Sequence, residues 1–439
     1  MSKVLVFCID ALCASDVARM RRMPHFAQIL ERGALVEKIE PVLPALTYTC
    51  HTSILTGTYA GRHGIVHNEK MTRGGHLDAP WYCMKSDVRG KTLLDIAREN
   101  GLTTCSLSWP VSGGADYTMN MPMIVPYSYQ GYQPQQWLEH TATANLMDRY
   151  FYKHGRYLMG PTRSLDLFTM ALALDILEDG PQPDIMLVKL CDLDSARHTY
   201  GVESEQAETQ LRMHDEQLGA ILECLRRKGT LDETNIIVLG DHGQTDIRDA
   251  FLMNVYFRRL GLLTVNADGK IASFDAVCHS TGLAALIEVR DPDDAALMAR
   301  VHDVLEALRH DPDVQLSMVL DAAEAQARYG LSGPFDFVVE SSLPIAFGEY
   351  PAGDTLWRSC QPGDKKTGVA THGGSPAREE VTTFFAAGPD VRPGARQPLH
   401  GRRSAHHGRH ARADDARCRR RTHFRNIEVI RTCRSNSNI

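Results

Sequence analysis

The chain has 439 residues, 43% hydrophobic and 23% charged, with a formal net charge of −6. That is enough apolar chain for a large core, as one domain with an insertion or as two domains, and no apolar run approaches the ~20 residues that would span a bilayer. The opening "MSKVLVFCIDA" has too short an apolar core and no small-residue cleavage site for a signal peptide, and eleven cysteines without CxxC spacing favour free thiols over a disulfide framework, so a soluble cytoplasmic protein is expected.

In chain order the pattern is α/β. "KVLVFCI" (3–9) is a continuous apolar run of the kind a strand buried on both faces requires. "MPHFAQILERG" (23–33) predicts a helix with a glycine stop. The stretch "PVLPALTYTCHTSILTGTYAGRHGIVHN" (41–68) crowds hydroxyls, a thiol and imidazoles, and contains a candidate helix over 49–56. "KTLLDIAREN" (91–100) predicts a helix and "TTCSLS" a strand. "PDIMLVKL" (183–190) and "NIIVLG" (235–240) predict buried strands, joined by a long helix over 203–229. Strands alternating with helices predict a doubly wound, mostly parallel sheet flanked by helices. Between 247 and 355, "AALIEV", "DDAALMARVHDVLEALRHD" and "FDFVVE" read as strand, helix and strand, an inserted smaller α+β cap. The expected organisation is therefore a catalytic domain over 1–246 and 356–395, a cap region over 247–355, and an atypical tail over 396–439.

Sheets of this type bind ligands beyond the carboxyl ends of their strands. There the first predicted strand delivers Asp10, the next Asp192 and Asp194 with His198 close behind, and the last Asp241 and His242; "ATHGGSP" adds His372. One aspartate after a strand is ordinary turn chemistry, but several sharing one edge point to a site. Carboxylate and imidazole are the ligands zinc takes when thiolates do not hold it. Six such ligands suit two metals ~4 Å apart, an arrangement that clamps the attacking and leaving oxygens of phosphoryl transfer.

The set "FCIDA", "PALTYTCHTSILTGTYAGRHGI", "DLDSARHTYG", "GDHGQTD" and "THGG", spanning residues 4 to about 395, resembles the alkaline phosphatase superfamily and, within it, the type I phosphodiesterase/nucleotide pyrophosphatase branch. The resemblance implies an alkaline-phosphatase-like fold and a metal-dependent hydrolase of phosphodiester or pyrophosphate bonds. Within "TYTCH" it puts Thr47 at the nucleophile position, forming a covalent phosphothreonine. Asp10, Asp241 and His242 resemble the ligands of the zinc that activates Thr47, and Asp194, His198 and His372 those of the leaving-group zinc; manganese is the alternative metal. The implied partner is a small phosphodiester or nucleotide, with neither a specific nucleic-acid site nor a membrane.

Some positions carry less. Thr49, Thr52, Ser53 and His51 read as capping, packing or hydrogen-bonding residues. Cys50 departs from the family pattern, which has asparagine there, and as a weak donor it leaves open a phosphomonoesterase or a phosphonoacetate-type C–P hydrolase of the same superfamily; a third reading, a non-catalytic zinc-binding or damaged product, comes from the tail described next. Residues 108–137 hold two Trp and four Tyr, and Trp109 and Tyr127 are candidates for stacking on a flat leaving group, the alternative being packing under a long loop.

From Arg396 to Arg425 the chain has ten arginines, five histidines, two aspartates and no lysine, a local charge of +8 that leaves −14 for the rest. This resembles a GC-rich gene read out of frame. Codons compatible with 400–423, read one base later, spell a D-x-A-P-T segment and an "LGL" helix of the family type. The tail is therefore expected to be frame-shifted or disordered; an in-frame, error-free coding sequence would overturn the first reading.

Overall fold

The computed structural model describes residues 2–74, 77, 79–123, 134–159, 163–362, 364, 367–378 and 381–394. The tail and Tyr127 lie outside the described residues, so the expectations for both stay with the sequence.

Six strands of the main sheet come early in the chain: β1 Lys3–Ile9, β2 Ala34–Ile39, β3 Thr104–Leu107, β4 Met119–Met121, β5 Ile185–Leu190 and β6 Thr234–Gly240. A second sheet follows, of β7 Ala276–Ser280, β8 Ala284–Val289, β9 Leu316–Asp321 and β10 Phe337–Ser341. The chain then returns to the first sheet with β11 Thr382–Ala387. The main sheet runs β2-β11-β6-β1-β5-β3-β4. The β1, β3, β4, β5 and β6 pairings are parallel, and β11 is antiparallel to both its neighbours. The central strands β5 and β6 are buried along their whole length, in keeping with their mostly apolar sequences.

Helices cover both faces. They include α1 Pro24–Arg32, α2 Thr47–Thr56, α3 Leu165–Asp179, α4 Asp192–Tyr200 and α5 Glu205–Arg227. Proline opens α1 where its missing N–H costs nothing, and the Asp215 carboxylate on α5 accepts the amides of His25 and Phe26 at 3.1 and 2.6 Å. This ties α1 to α5 as Phe26, Leu218 and Phe385 pack in one apolar layer. On the other face Leu94, Trp109 and Leu239 form a second layer. No helix among the described residues is long and apolar enough to cross a membrane.

The second sheet is antiparallel in the order β7-β8-β10-β9, and α6 Ala295–His310 covers one face through Val301 and Leu305. Its other face packs Leu286 and Val338 against Leu43 and Val66, so it braces the segment around Thr47. A small sheet joins Asp249–Leu252 to Ile345–Gly348 and Trp357–Ser359, and it straddles residue 355.

Candidate active site

Strand register assembles the site. Ile9 pairs with Gly240 and with Leu190, so Asp10 and Asp241 leave adjacent strands side by side, and the chain beyond β5 turns straight into α4, which carries Asp194 and His198 one turn apart. Thr245 and Asp246 pair with Thr371 and Ala370, zipping the loop that carries His242 to the loop that carries His372. Gly373 has φ 91°, and a Cβ there would stand 1.7 Å from the Thr281 carbonyl oxygen; only glycine lets that loop lie against the second sheet.

Thr47 is the first residue of α2, which starts two residues earlier than predicted because Leu46, extended at φ −105°, serves as N-cap. Its Oγ1 lies 3.2 Å from His242 Nε2. Asp10 Oδ1 and Asp241 Oδ2 each lie 3.3 Å from the same nitrogen. Asp194 Oδ1 stands 3.4 Å from His198 Nε2 and 3.8 Å from His372 Nε2. The His242 and His372 rings stack at 3.8 Å, so the two groups of side chains abut.

The imidazoles are oriented from behind. His198 Nδ1 donates to Ala370 O at 2.7 Å, His372 Nδ1 to Ala45 O at 2.8 Å and His242 Nδ1 to Gly243 O at 3.0 Å. A carbonyl only accepts, so each bond puts the proton on Nδ1 and a lone pair on Nε2, the form a metal takes. Gln244 donates to Asp194 Oδ1. Asp10 Oδ1 and Asp241 Oδ2 are buried and accept no hydrogen bond from the described residues; the His51 Nδ1 that stands 3.2 Å from Asp241 Oδ2 gives its proton to the nearer Thr47 carbonyl at 2.7 Å. Orphaned buried oxygens beside bare imidazole nitrogens fit a divalent cation.

The electrostatics agree. Burial and the neighbouring Asp241 carboxylate push Asp10 well above the usual carboxylate range. In Asp241 and Asp194 burial is outweighed, by His242 in the first and by His198 in the second, and both are held low. Burial, then the stacked His242, pulls His372 down to about 3. The buried Lys189 ammonium, 2.5 Å from Asp10 Oδ2, opposes that push on Asp10, and a divalent cation beside the two carboxylates would oppose it further.

A cavity of about 540 Å³ opens beside these residues, lined by Thr47, Asp194, His198 and His372 at one end and by Tyr48, Asn68 and Trp81 elsewhere. Two substrate candidates need correcting here. Cys50 is buried and does not line the cavity. Asn68 lines it instead, with its Oδ1 accepting the Tyr48 amide at 3.1 Å. Trp109 has no exposed surface and packs edge-on against His51 at 4.7 Å, so it is packing and not a stacking surface. The aromatic residue that keeps exposed surface at the cavity is the half-buried Trp81, braced edge-on at 5.2 Å by the buried Tyr48 behind it. His51 is structural, as read: its Nδ1 donates to Thr47 O at 2.7 Å. Asn68 went unread because it lies on another segment, though "HN" directly follows "RHGIV".

Comparison with known proteins meets this geometry. The structure is similar to murine ectonucleotide pyrophosphatase/phosphodiesterase 5, with a TM-score of 0.58 at 19% identity over 88% of both chains. It is also similar to an inactive form of that protein in complex with AMP, at a TM-score of 0.56. The fold is thus the alkaline-phosphatase-like one. Type I phosphodiesterase / nucleotide pyrophosphatase is the family that matches residues 4–374, and the chain belongs to it. Among curated relatives, ectonucleotide pyrophosphatase/phosphodiesterase family member 7 of Rattus norvegicus is 23% identical over 236 residues, 51% of this chain and 46% of that protein. A venom phosphodiesterase of Naja atra is 25% identical over 257 residues, 56% of this chain and 26% of its own. The match spans less than half the length of either relative.

Proposed function

We propose that the protein is a hydrolase of phosphodiester or pyrophosphate bonds that works through a covalent phosphothreonine at Thr47 in a site for two zinc ions. The observation that carries this is the 3.2 Å between Thr47 Oγ1 and His242 Nε2, at the first position of a helix and against two orphaned carboxylate oxygens. Asp10, Asp241 and His242 would hold one ion, and Asp194, His198 and His372 the other. When bound, the ions supply Lewis acidity, lowering the pKa of the Thr47 hydroxyl and neutralising charge on the leaving oxygen.

Thr47 Oγ1 attacks phosphorus in line; the new O–P bond forms as the bond to the leaving oxygen breaks. Water then attacks the phosphothreonine, its oxygen stays on phosphorus, and Thr47 regains its proton. Two displacements give retention at phosphorus. The N-terminus of α2 favours an anion, and Asn68, whose Oδ1 accepts the Tyr48 N–H, has its amide N–H groups left to donate to a nonbridging oxygen. Trp81, backed by the buried Tyr48, offers a flat leaving group an aromatic face. The AMP complex of a structural neighbour supports nucleotides as the substrate class to try first.

The test is hydrolysis of bis-p-nitrophenyl phosphate beside p-nitrophenyl phosphate with added Zn²⁺, using Thr47→Ala as control. Strong preference for the diester, lost with Thr47, is expected. Preference for the monoester, or full activity of Thr47→Ala, would overturn the reading.

A further inference from the structure

One buried cation behind the site has no part in the chemistry above. Lys189, on β5, has no exposed surface. Its ammonium donates to Asp10 Oδ2 at 2.5 Å and lies 2.8 Å from Cys191 Sγ and 3.8 Å from Met123 Sδ. Register delivers it: Lys189 pairs with Cys8, and Leu190 with Ile9, which brings its side chain alongside that of Asp10. An ammonium taken wholly out of water is costly unless paired, and sulfur is a weak acceptor; Asp10 is therefore its strong partner among the described residues.

The two carboxylates beside His242 are secured alike. Asp241 Oδ1 accepts the amide of Ala11 at 3.1 Å, while Asp10 Oδ2 accepts Lys189. Each is left with one orphaned oxygen, and both orphans stand 3.3 Å from His242 Nε2. Asp241 is clamped by backbone, with the His51 side chain also 3.2 Å from its other oxygen; Asp10 is clamped by a single ammonium.

We infer that Lys189 is a positioning residue for the ion held by Asp10, Asp241 and His242: it fixes Asp10 to present Oδ1 alone. Losing it frees Asp10 to rotate or turn its other oxygen inward, and the damage stays at this ion. Asp194, His198 and His372 are held by Gln244 and by the Ala370 and Ala45 carbonyls, none of which Lys189 touches. The inference rests on the two-metal reading proposed above.

The experiment is chelator competition with Zn²⁺ on the full chain, comparing wild type with Lys189→Met, with thermal unfolding recorded alongside. His372→Ala marks which of two binding steps belongs to the other ion. The expected result is one step weakened 10–100-fold in Lys189→Met, the usual effect of losing a group that orients a ligand, with the step that His372→Ala removes left as in wild type. A folded Lys189→Met that binds both ions as wild type does, or weakens both equally, would reduce Lys189 to an ordinary core ion pair. Failure of wild type to bind zinc would instead overturn the two-metal reading and this inference with it. Should the methionine variant not fold, Lys189→Gln, a shorter neutral donor, is read in the same way: weakening of the same single step supports the role, and no weakening overturns it.

Discussion

Thr47 Oγ1 and His242 Nε2 stand 3.2 Å apart although 195 positions separate them in the chain. The proton of His242 is committed to the Gly243 carbonyl on the other side of the ring, so at rest the Thr47 hydroxyl donates and the imidazole accepts. A cation held by Asp10, Asp241 and His242 would take the Nε2 lone pair that now accepts this proton. Thr47→Ala is therefore expected to lose at least about a thousandfold in kcat and all acid-stable phosphoenzyme, while zinc content by mass spectrometry stays that of wild type. Phosphoenzyme in the alanine variant would move the nucleophile elsewhere.

Asn68 and Cys50 can be separated by steady-state kinetics. Asn68→Ala should lower kcat about 10²–10³-fold, as removal of one donor to developing charge does. Cys50→Ser, buried and away from the cavity, should stay close to wild type. The reverse pattern would restore Cys50 as the phosphate contact.

The two aromatic positions should fail differently. Trp109→Ala deletes a fully buried indole packed on His51 and should cost about 3–5 kcal/mol in urea unfolding. Trp81→Ala, at a half-buried position lining the cavity, should instead raise KM for substrates with an aromatic leaving group more than for those without one. Equal stability loss with no KM effect would remove Trp81 from the substrate wall.

Acid should destabilise the fold through His63. Its Nδ1 accepts the amide of Ile65 at 3.1 Å and its Nε2 meets Ser53 Oγ at 2.8 Å; burial, with Arg89 adding, pulls its pKa from 6.5 to about 3. The folded state keeps the ring neutral where the unfolded chain takes a proton. This stability is thus complete above pH 6.5 and is lost as pH falls toward 3, by about 1.4 kcal/mol per pH unit. His63→Gln should flatten the dependence of the urea midpoint on pH between 6 and 4. An unchanged slope would place the proton uptake on another group.

Chelation offers a further readout. If the site binds zinc, EDTA treatment should lower Tm, and re-addition at a thousandfold excess over Kd should restore about 4 kcal/mol per ion. A Tm indifferent to both would argue that the orphaned oxygens of Asp10 and Asp241 are not metal ligands.

Much of this was legible in the sequence where chemistry sits at the end of an apolar run. Asp10, Asp194, Asp241 and His242 could be assigned to one edge because buried parallel strands announce themselves, and an edge is a place. The start of α2 was misjudged because its N-cap is Leu46, which carries no capping side chain to read. Asn68 was invisible for a different reason: it reaches the site through the Tyr48 amide, a contact between two segments. Trp109 shows that aromatic content alone does not separate a lining from a core. Lys189 was read as one more residue of an apolar strand, and only the register of β5 on β1 reveals that it lies against Asp10.

The placement of β11 sets the order in which this protein can be completed. β2 is among the first parts synthesised, yet its partner in the sheet is a strand made of residues 382–387, and the same strand covers the edge of β6. A nascent chain that has already produced Asp10, Thr47, Asp194, Asp241 and His372 still displays two bare strand edges, which invite pairing with another chain. The residues of the candidate site are all made before the seam between β2 and β6 can close, so the last strand of the described fold is what turns a nearly finished enzyme-like chain into one that stays apart from its neighbours.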